Sequence, residues 1–309
     1  MTTRVSAIVV TWNSVAVVSD CLASLQAALP DGAQIVVVDN ASSDGTVAAV
    51  RLGSPEAVVI ENATNRGLAA ANNQGMARAD GETFLICNPD TVFRPEAVRA
   101  MVAVLDAQLR AAWVVPRLVD VDGTLLTSAG DLPRVRDALW GRLVAWRKRS
   151  GSPEGFWWDG WDHRMTRQIG RGHECAYIVR RAAVEEVGPQ DERYVLDWEG
   201  IDWTERLRRS GWEVWLCAEA EVVHLGGASV RQVPLRAVVS QHKGMWRYFA
   251  DRCRPAWVWK PLLVVMFGAR ALVKLAVTAV GVPLYGWAHR GRRGGPAAGG
   301  EIGRAQGPG

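Results

Sequence analysis

The feature that most constrains this chain is a run of β-branched residues, Ile35 to Val38, leading straight into Asp39 and the turn formers Asn40 to Gly45 in the sequence IVVVDNASSDGT. An apolar run without alternation suits a central parallel strand covered on both faces. Asp39 then stands at the carboxyl edge of the sheet, where open α/β folds bind their ligands. A carboxylate there can accept hydrogen bonds from a ribose or a base edge. Ser42, Ser43 or Asp44 can cap a helix starting near Thr46. The same residues also describe an ordinary strand, turn and helix, so the neighbouring segments decide.

Those neighbours repeat the βα alternation. Val5 to Thr11 reads as a strand, and Val17, Val18, Cys21, Leu22, Leu25 and Leu29 form one face of a helix. The spacing then predicts a helix over 44–51, a strand over 57–61, a helix over 67–79 and a strand over 82–87. Pro95, at a helical N1 position, opens a helix to about Gln108. Strands alternating with helices predict a parallel sheet with right-handed crossovers. Every early strand ends in polar residues: Thr11-Trp12-Asn13, Asp39, Asn65-Arg66-Gly67 with Asn73 and Gly75, and Asn88-Pro89-Asp90. Their convergence on one edge points to a ligand site. Asp90 lies where a hard divalent cation would bridge a diphosphate, a role that needs only one or two protein carboxylates. It also reads as a turn or helix cap before Pro95. No glycine occurs from Thr11 to Ala16, which excludes the GxGxxG turn of a nicotinamide-dependent dehydrogenase.

After Trp113 the rhythm changes. Asp122-Gly123, between Leu118–Val121 and Thr124–Leu126, reads as a hairpin turn. Residues 134–171 form a basic, Trp-rich stretch without clear period, expected as a mobile excursion over the site. A strand follows at 177–179, helices at 181–187 and 201–209, and two short strands at 213–216 and 221–224. His224, at the end of the last of these, is either a satisfied structural histidine or a ligand at the rim. The segment Asp197-Trp198-Glu199-Gly200-Ile201-Asp202 concentrates carboxylates just before a helix. Either role fits Asp202: a base, or a charge favoured by the helix dipole.

The bulk properties limit the function classes. At 309 residues the chain fits one large domain with an appendage. Its net charge of +4 is mild, and basic residues interleave with acids through the first part of the chain, which argues against nucleic acid as partner. Five cysteines without metal-type spacing argue against structural zinc and a disulfide framework, and imply reduced, cytoplasmic thiols. Ile8 to Val10 is too short an apolar run for a secretory signal. Most of the fifteen tryptophans fall from Trp140 onward, where aromatics serve cores, sugar stacking and membrane interfaces alike. Leu262 to Leu284 is apolar apart from Arg270, Lys274 and Thr278, with Trp257, Trp259 and Trp287 near its ends. Its two cations sit at i, i+4 on one helical face, which favours a helix lying in a membrane interface over one crossing the bilayer or docking as a core helix.

In its motifs the chain resembles the inverting GT-A glycosyltransferases of family 2, and within them the rhamnosyltransferase-like enzymes. The matching residues are 8–13, 38–46, Asn65, Gly67, Asn73, Gly75, Asn88-Pro89-Asp90, Val179-Arg180-Arg181, Asp191 to Tyr194, and His224 with Ser229. The resemblance implies that Thr11, Asn13, Asp39, Asn65, Gly67 and Asn88 bind a nucleoside-diphosphate sugar. It implies that Asp90, joined by His224, holds a divalent cation, Mg2+ or Mn2+, with Asn88 replacing the first aspartate of the usual DxD pair. Similar enzymes carry Glu-Asp-x-Asp at 199–202, the Asp after Glu serving as general base, but this chain has Gly200 there. Glu199 is then the first choice for base and Asp202 the second, unless the protein binds nucleotide sugar or glycan without turnover. Glu174 stands where relatives often have glycine, facing the acceptor or pairing with Arg171 or Arg180.

The expected molecule is therefore an α/β, GT-A (Rossmann-like) protein with a mixed, mainly parallel sheet, helices on both faces and C-terminal amphipathic helices. Residues 1–250 form the glycosyltransferase domain, with a nucleotide-sugar half at 1–115 and an acceptor half at 116–250. Residues 251–290 associate with the membrane, and 291–309 are a disordered tail. The expected function is transfer of a sugar, rhamnose by resemblance, to a cell-envelope glycan or polyprenyl-linked acceptor at the cytoplasmic membrane surface.

Overall fold

A computed structural model of the chain describes residues 5–135, 137, 156–158, 160–226 and 232–279. Its strands are β1 (Val5–Thr11), β2 (Gln34–Asp39), β3 (Val58–Glu61), β4 (Thr83–Cys87), β5 (Thr91–Phe93), β6 (Ala111–Val119), β7 (Leu125–Leu126), β8 (Ala129–Gly130), β9 (Arg167–Ile169), β10 (Arg171–Gly172), β11 (Ala176–Arg180) and β12 (Glu213–His224). Its helices are α1 (Val18–Ala28), α2 (Thr46–Gly53), α3 (Leu68–Arg78), α4 (Ala97–Ala107), α5 (Arg181–Val187), α6 (Glu199–Arg209), α7 (Pro234–Arg252) and α8 (Ala256–Ala279).

The main sheet runs in the order β3-β2-β1-β4-β11-β6-β12-β5. β3, β2, β1 and β4 are parallel, while β11 enters antiparallel between β4 and β6. In β1 the pleat divides the core: Val5, Ala7 and Val9 face α1 and α4, whereas Ile8 and Val10 face α3 and α6. Both faces are thereby covered, as the unbroken apolar run of β2 requires. Gly75 permits the close approach of α3 to β1, because a Cβ there would run into Ile8 Cγ2.

A third cluster joins the start of α6 to the C-terminal helices: Tyr194, Trp198 and Ile201 pack on Met245, Tyr248, Phe249, Leu263 and Phe267. One face of α8 is thus held by the domain. The other is exposed and apolar, with Trp257 80%, Val265 69% and Leu272 69% accessible. By length and composition α8 could cross a membrane. Arg270 and Lys274 share a helical face as expected, but that face turns to α7: Arg270 lies 3.3 Å from His242 Nε2 and Lys274 donates to Gln241 Oε1 at 3.1 Å. The cations therefore anchor α8 to the domain and leave its outer face apolar.

Several local expectations change. The helix after Pro95 begins at Ala97, and the short strand β5 precedes it. The two expected strands at 213–216 and 221–224 are one strand, β12, with an irregularity between Cys217 and Glu221. Gly45, in the left-handed region at φ 88°, occupies the N-cap of α2, and Asp44 reaches over it to accept from Thr46 N at 3.1 Å. Part of the Trp-rich stretch is packed: Trp158 is buried, its backbone N–H donating to Ala129 O and its indole Nε1 to Asp131 Oδ2. Residues 138–155, Ser229, residues 280–290 of the expected membrane segment and the expected tail at 291–309 lie outside the described residues.

Candidate active site

The parallel strands carry their ends to one rim, where β1 and β2 place Thr11 opposite Asp39. Both residues are buried. Asp39 Oδ1 accepts from Thr11 Oγ1 at 2.8 Å and Ser42 Oγ at 2.6 Å, and Oδ2 accepts from Ser42 N at 2.8 Å. Asn13, in the left-handed region at φ 47°, accepts from Ser43 N through its side chain at 2.9 Å. One hydrogen-bonded loop pair thus holds Thr11, Asn13 and Asp39 together, with the carboxylate fixed at its rim. Asn65 and Gly67 form the next wall. Asn65 Oδ1 accepts from Gly67 N at 3.0 Å, and a Cβ on Gly67 would come within 2.9 Å of Val195 O, so only glycine lets the two segments meet.

Asn88 and Asp90 follow β4 in a turn that β5 and β12 complete. Asn88 N donates to Cys175 O at 2.8 Å, and Leu225 N donates to Asp90 O at 2.9 Å. Because β5 and β12 are antiparallel, His224 lies opposite Thr91 and its Nε2 comes to 3.4 Å from Asp90 Oδ1. Both side chains are buried. A carboxylate oxygen beside an imidazole nitrogen is a pair that could ligate a divalent cation, the carboxylate suiting a hard ion and the imidazole a transition ion. Among the described residues no group of three or more His, Cys, Asp or Glu converges on one point.

His173-Glu174-Cys175 connects this pair to the acidic cluster. The His173 ring lies 5.7 Å from that of His224, and burial holds its basicity well below that of an ordinary histidine. Glu174 is half-buried; its Oε2 accepts from Gly200 N at 3.1 Å. Burial pushes its carboxyl up to about 7, with Arg171 opposing and Asp197 adding to the rise. Glu199 is almost fully enclosed, at 2% exposure, and burial followed by repulsion from Glu174 and Asp197 raises it well above the carboxylate range. Asp197 is raised too, by burial, although Gln241 Nε2 donates to it at 3.2 Å. Asp197 and Trp198 both have positive φ, 61° and 73°, a conformation that costs roughly 1–3 kcal/mol per residue. Trp198 is fixed among Tyr248, Phe249 and Gly244, which holds that strained turn and aims the acids inward.

Asp202 lies one turn along α6 in a different setting. Arg206 Nε and Arg252 Nη2 donate to its carboxylate at 2.9 and 2.6 Å, and Arg252 also pairs with Glu205. Thus the structure gathers Thr11, Asn13 and Asp39 in one network, places Asn88, Asp90 and His224 together, sets Glu199 with Glu174 and Asp197, and ties Asp202 to α7. Sequence reasoning left Glu174 between an acceptor contact and a surface pair. Its neighbour is Gly200, while Arg180 donates instead to Ala111 O and Leu105 O. The signal that could have found it is the double departure that the family resemblance implies, an acid at 174 and a glycine at 200.

The sequence profile described as glycosyl transferase family 2 matches residues 6–188. The chain belongs to that family. This family 2 glycosyltransferase is 27% identical over 294 residues to the N-acetylglucosaminyl-diphospho-decaprenol L-rhamnosyltransferase of Mycobacterium tuberculosis, covering 88% of this chain and 92% of the relative. Its fold is similar to that of the mannosyltransferase PcManGT from Pyrobaculum calidifontis in complex with GDP-Man and Mn2+, at TM-score 0.55 and 18% identity, covering 91% of this chain and 74% of the other. It is also similar to GalNAc-T7 with UDP, GalNAc and Mn2+, at TM-score 0.54 and 14% identity, covering 91% and 58%. The family and the GT-A fold expected from the motifs are therefore borne out, and the enzyme is a glycosyltransferase.

Proposed function

We propose that this glycosyltransferase moves rhamnose from a nucleoside diphosphate to a polyprenyl-diphosphate-linked sugar by single displacement with inversion. The observation that carries the reading is the meeting of Asp90 and His224 at the rim where the donor strands end. The relative in Mycobacterium tuberculosis, named for rhamnosyl transfer to a decaprenol-linked acceptor, supports the sugar and the acceptor class. Thr11, Asn13, Asp39, Asn65, Gly67 and Asn88 form the donor's cradle, with Asp39 toward the nucleoside. Asp90 and His224 would hold a divalent cation, which would supply charge stabilisation for a leaving diphosphate. The base comes from the carboxylates around Gly200, and Asp202 is the weaker choice among them because two guanidinium groups already claim it.

The outer face of α8 supports a peripheral position on the cytoplasmic face of the membrane, where a polyprenyl chain resides. Charged residues are expensive in lipid; Arg270 and Lys274 turn inward to α7, and the third charge of the helix, Lys260, is exposed near its N-terminal end. Asp197, Gln241 and Lys274 form a chain of contacts from the acidic cluster to α8, so the helix that would meet lipid also borders the acceptor side.

The test is transfer of labelled rhamnose from its nucleoside diphosphate to polyprenyl-diphosphate N-acetylglucosamine in vesicles. Product that requires Mg2+ or Mn2+ and disappears with a chelator is expected. Donor binding without metal-dependent turnover would instead make the protein a nucleotide-sugar binder.

A further inference from the structure

Gly200 leaves room for a side chain, and that room is filled. A Cβ built on Gly200 would fall 2.5 Å from Glu174 Oε2 and 2.6 Å from its Cγ, and closer still to Cδ. The Glu174 carboxyl therefore occupies the volume into which an acidic side chain at 200 would project. Gly200 N–H donates to it at 3.1 Å, which orients the group from the helix side.

We propose that Glu174 is the general base, delivered from the segment before β11 into the space that Gly200 vacates. This rests on the glycosyltransferase reading above and refines its choice of base. In the step, the acceptor hydroxyl oxygen bonds to the anomeric carbon as the bond from that carbon to the diphosphate oxygen breaks. The bonding pair leaves with the diphosphate, and the hydroxyl proton goes to a Glu174 carboxylate oxygen.

Three observations separate Glu174 from its neighbours. It keeps part of its surface open, whereas Glu199 is 2% exposed and beyond direct reach of an acceptor. Burial pushes the Glu174 carboxyl up to about 7, where it can take up and release a proton near neutrality as a base requires, while burial and the neighbouring acids raise Glu199 well above the carboxylate range. Glu199 Oε2 is buried without a hydrogen-bond partner among the described residues, consistent with a group that serves its neighbour. Glu199 is thus a positioning residue: it lies beside Glu174 and favours the ionised form there. The other groups facing Glu174 are Arg171, which also favours ionisation, and Asp197, which opposes it; Tyr177 stays neutral, and Lys274 reaches the cluster only through Asp197. Arg171 is held beneath the cluster by stacking on Phe156 and Trp157, at 3.9 and 3.8 Å.

The experiment compares transfer by wild type, Glu174→Gln, Glu174→Gly and the exchange Glu174→Gly/Gly200→Asp, with donor affinity measured by calorimetry. Loss of a general base predicts a fall in kcat of about 10²–10⁴-fold in both single variants, with donor affinity unchanged. The exchange returns a carboxylate to the same volume from the helix and should recover most of that loss. Glu199→Ala should move the acid limb of the kcat–pH profile to higher pH, and Glu199→Gln, which keeps a donor, should leave it near wild type. Wild-type kcat in Glu174→Gln, or an exchange variant as inactive as Glu174→Gly, would overturn the assignment while leaving the transferase reading intact. A wild-type protein that binds donor but never transfers it would overturn both.

Discussion

Two groups of carboxylates flank the first turn of α6, and their surroundings are opposite. On the side facing the sheet rim, Glu174, Glu199 and Asp197 crowd together with Arg171 and Lys274 as the opposing cations, and all three acids are raised. On the side facing α7, Asp202 and Glu205 are matched by Arg206, Arg209 and Arg252 in contact. The first arrangement destabilises ionised acids and keeps one poised to take a proton; the second neutralises its acids and binds α6 to α7. Acidity in sequence is therefore no guide to role here, because Glu199 and Asp202 lie within a single helical turn.

The largest expected effect breaks the first group. Glu174→Gln should cost about 10²–10⁴-fold in kcat with little harm to folding. His224→Ala, acting on the neighbouring pair, should raise the Mn2+ concentration needed for half-maximal transfer by at least about tenfold, read from a metal titration. The second group should respond the other way. Asp202→Asn removes the anion between two guanidinium groups, and loss of one partner from a largely buried ion pair costs about 3–5 kcal/mol. Chemical denaturation should show that loss, while kcat of the folded enzyme stays within a few-fold of wild type.

A smaller effect sharpens the comparison through pH. The folded protein holds the Glu174 proton up to about 7, whereas an unfolded glutamic acid releases it near 4.5. Its contribution to stability is thus fully present below the unfolded value and is lost as pH rises through about 7. Glu174→Gln should melt higher than wild type at pH 8 and lose that advantage near pH 4. The smallest effect on chemistry concerns α8: Val265→Glu with Leu272→Glu, which removes apolar area and adds repulsion, should release the protein from anionic vesicles in a flotation assay, with kcat on a short-chain, soluble acceptor unchanged.

Much of the fold was legible because it rests on periodicity. The apolar runs of β1, β2 and β4 and the faces of α1 and α3 fall within a residue or two of their expected places. The donor rim was legible for the same reason, since parallel strands must end on one edge. What escaped were features set by pairing at a distance. β5 is too short to show a period and exists because β12 pairs with it. The turning of Arg270 and Lys274 toward α7 depends on packing between helices, which a single helix's pattern does not contain. Glu174 escaped because its role depends on an absent Cβ at Gly200, 26 residues away.

The division between the two carboxylate groups is tested most directly by the pH dependence of kcat, with donor, metal and acceptor saturating, in wild type and Glu174→Gln. A single ionisation near 7 should govern the acid limb of the wild-type profile and vanish from the residual activity of the variant. An acid limb at the ordinary glutamate value of about 4.3, or one that persists unchanged in Glu174→Gln, would contradict it.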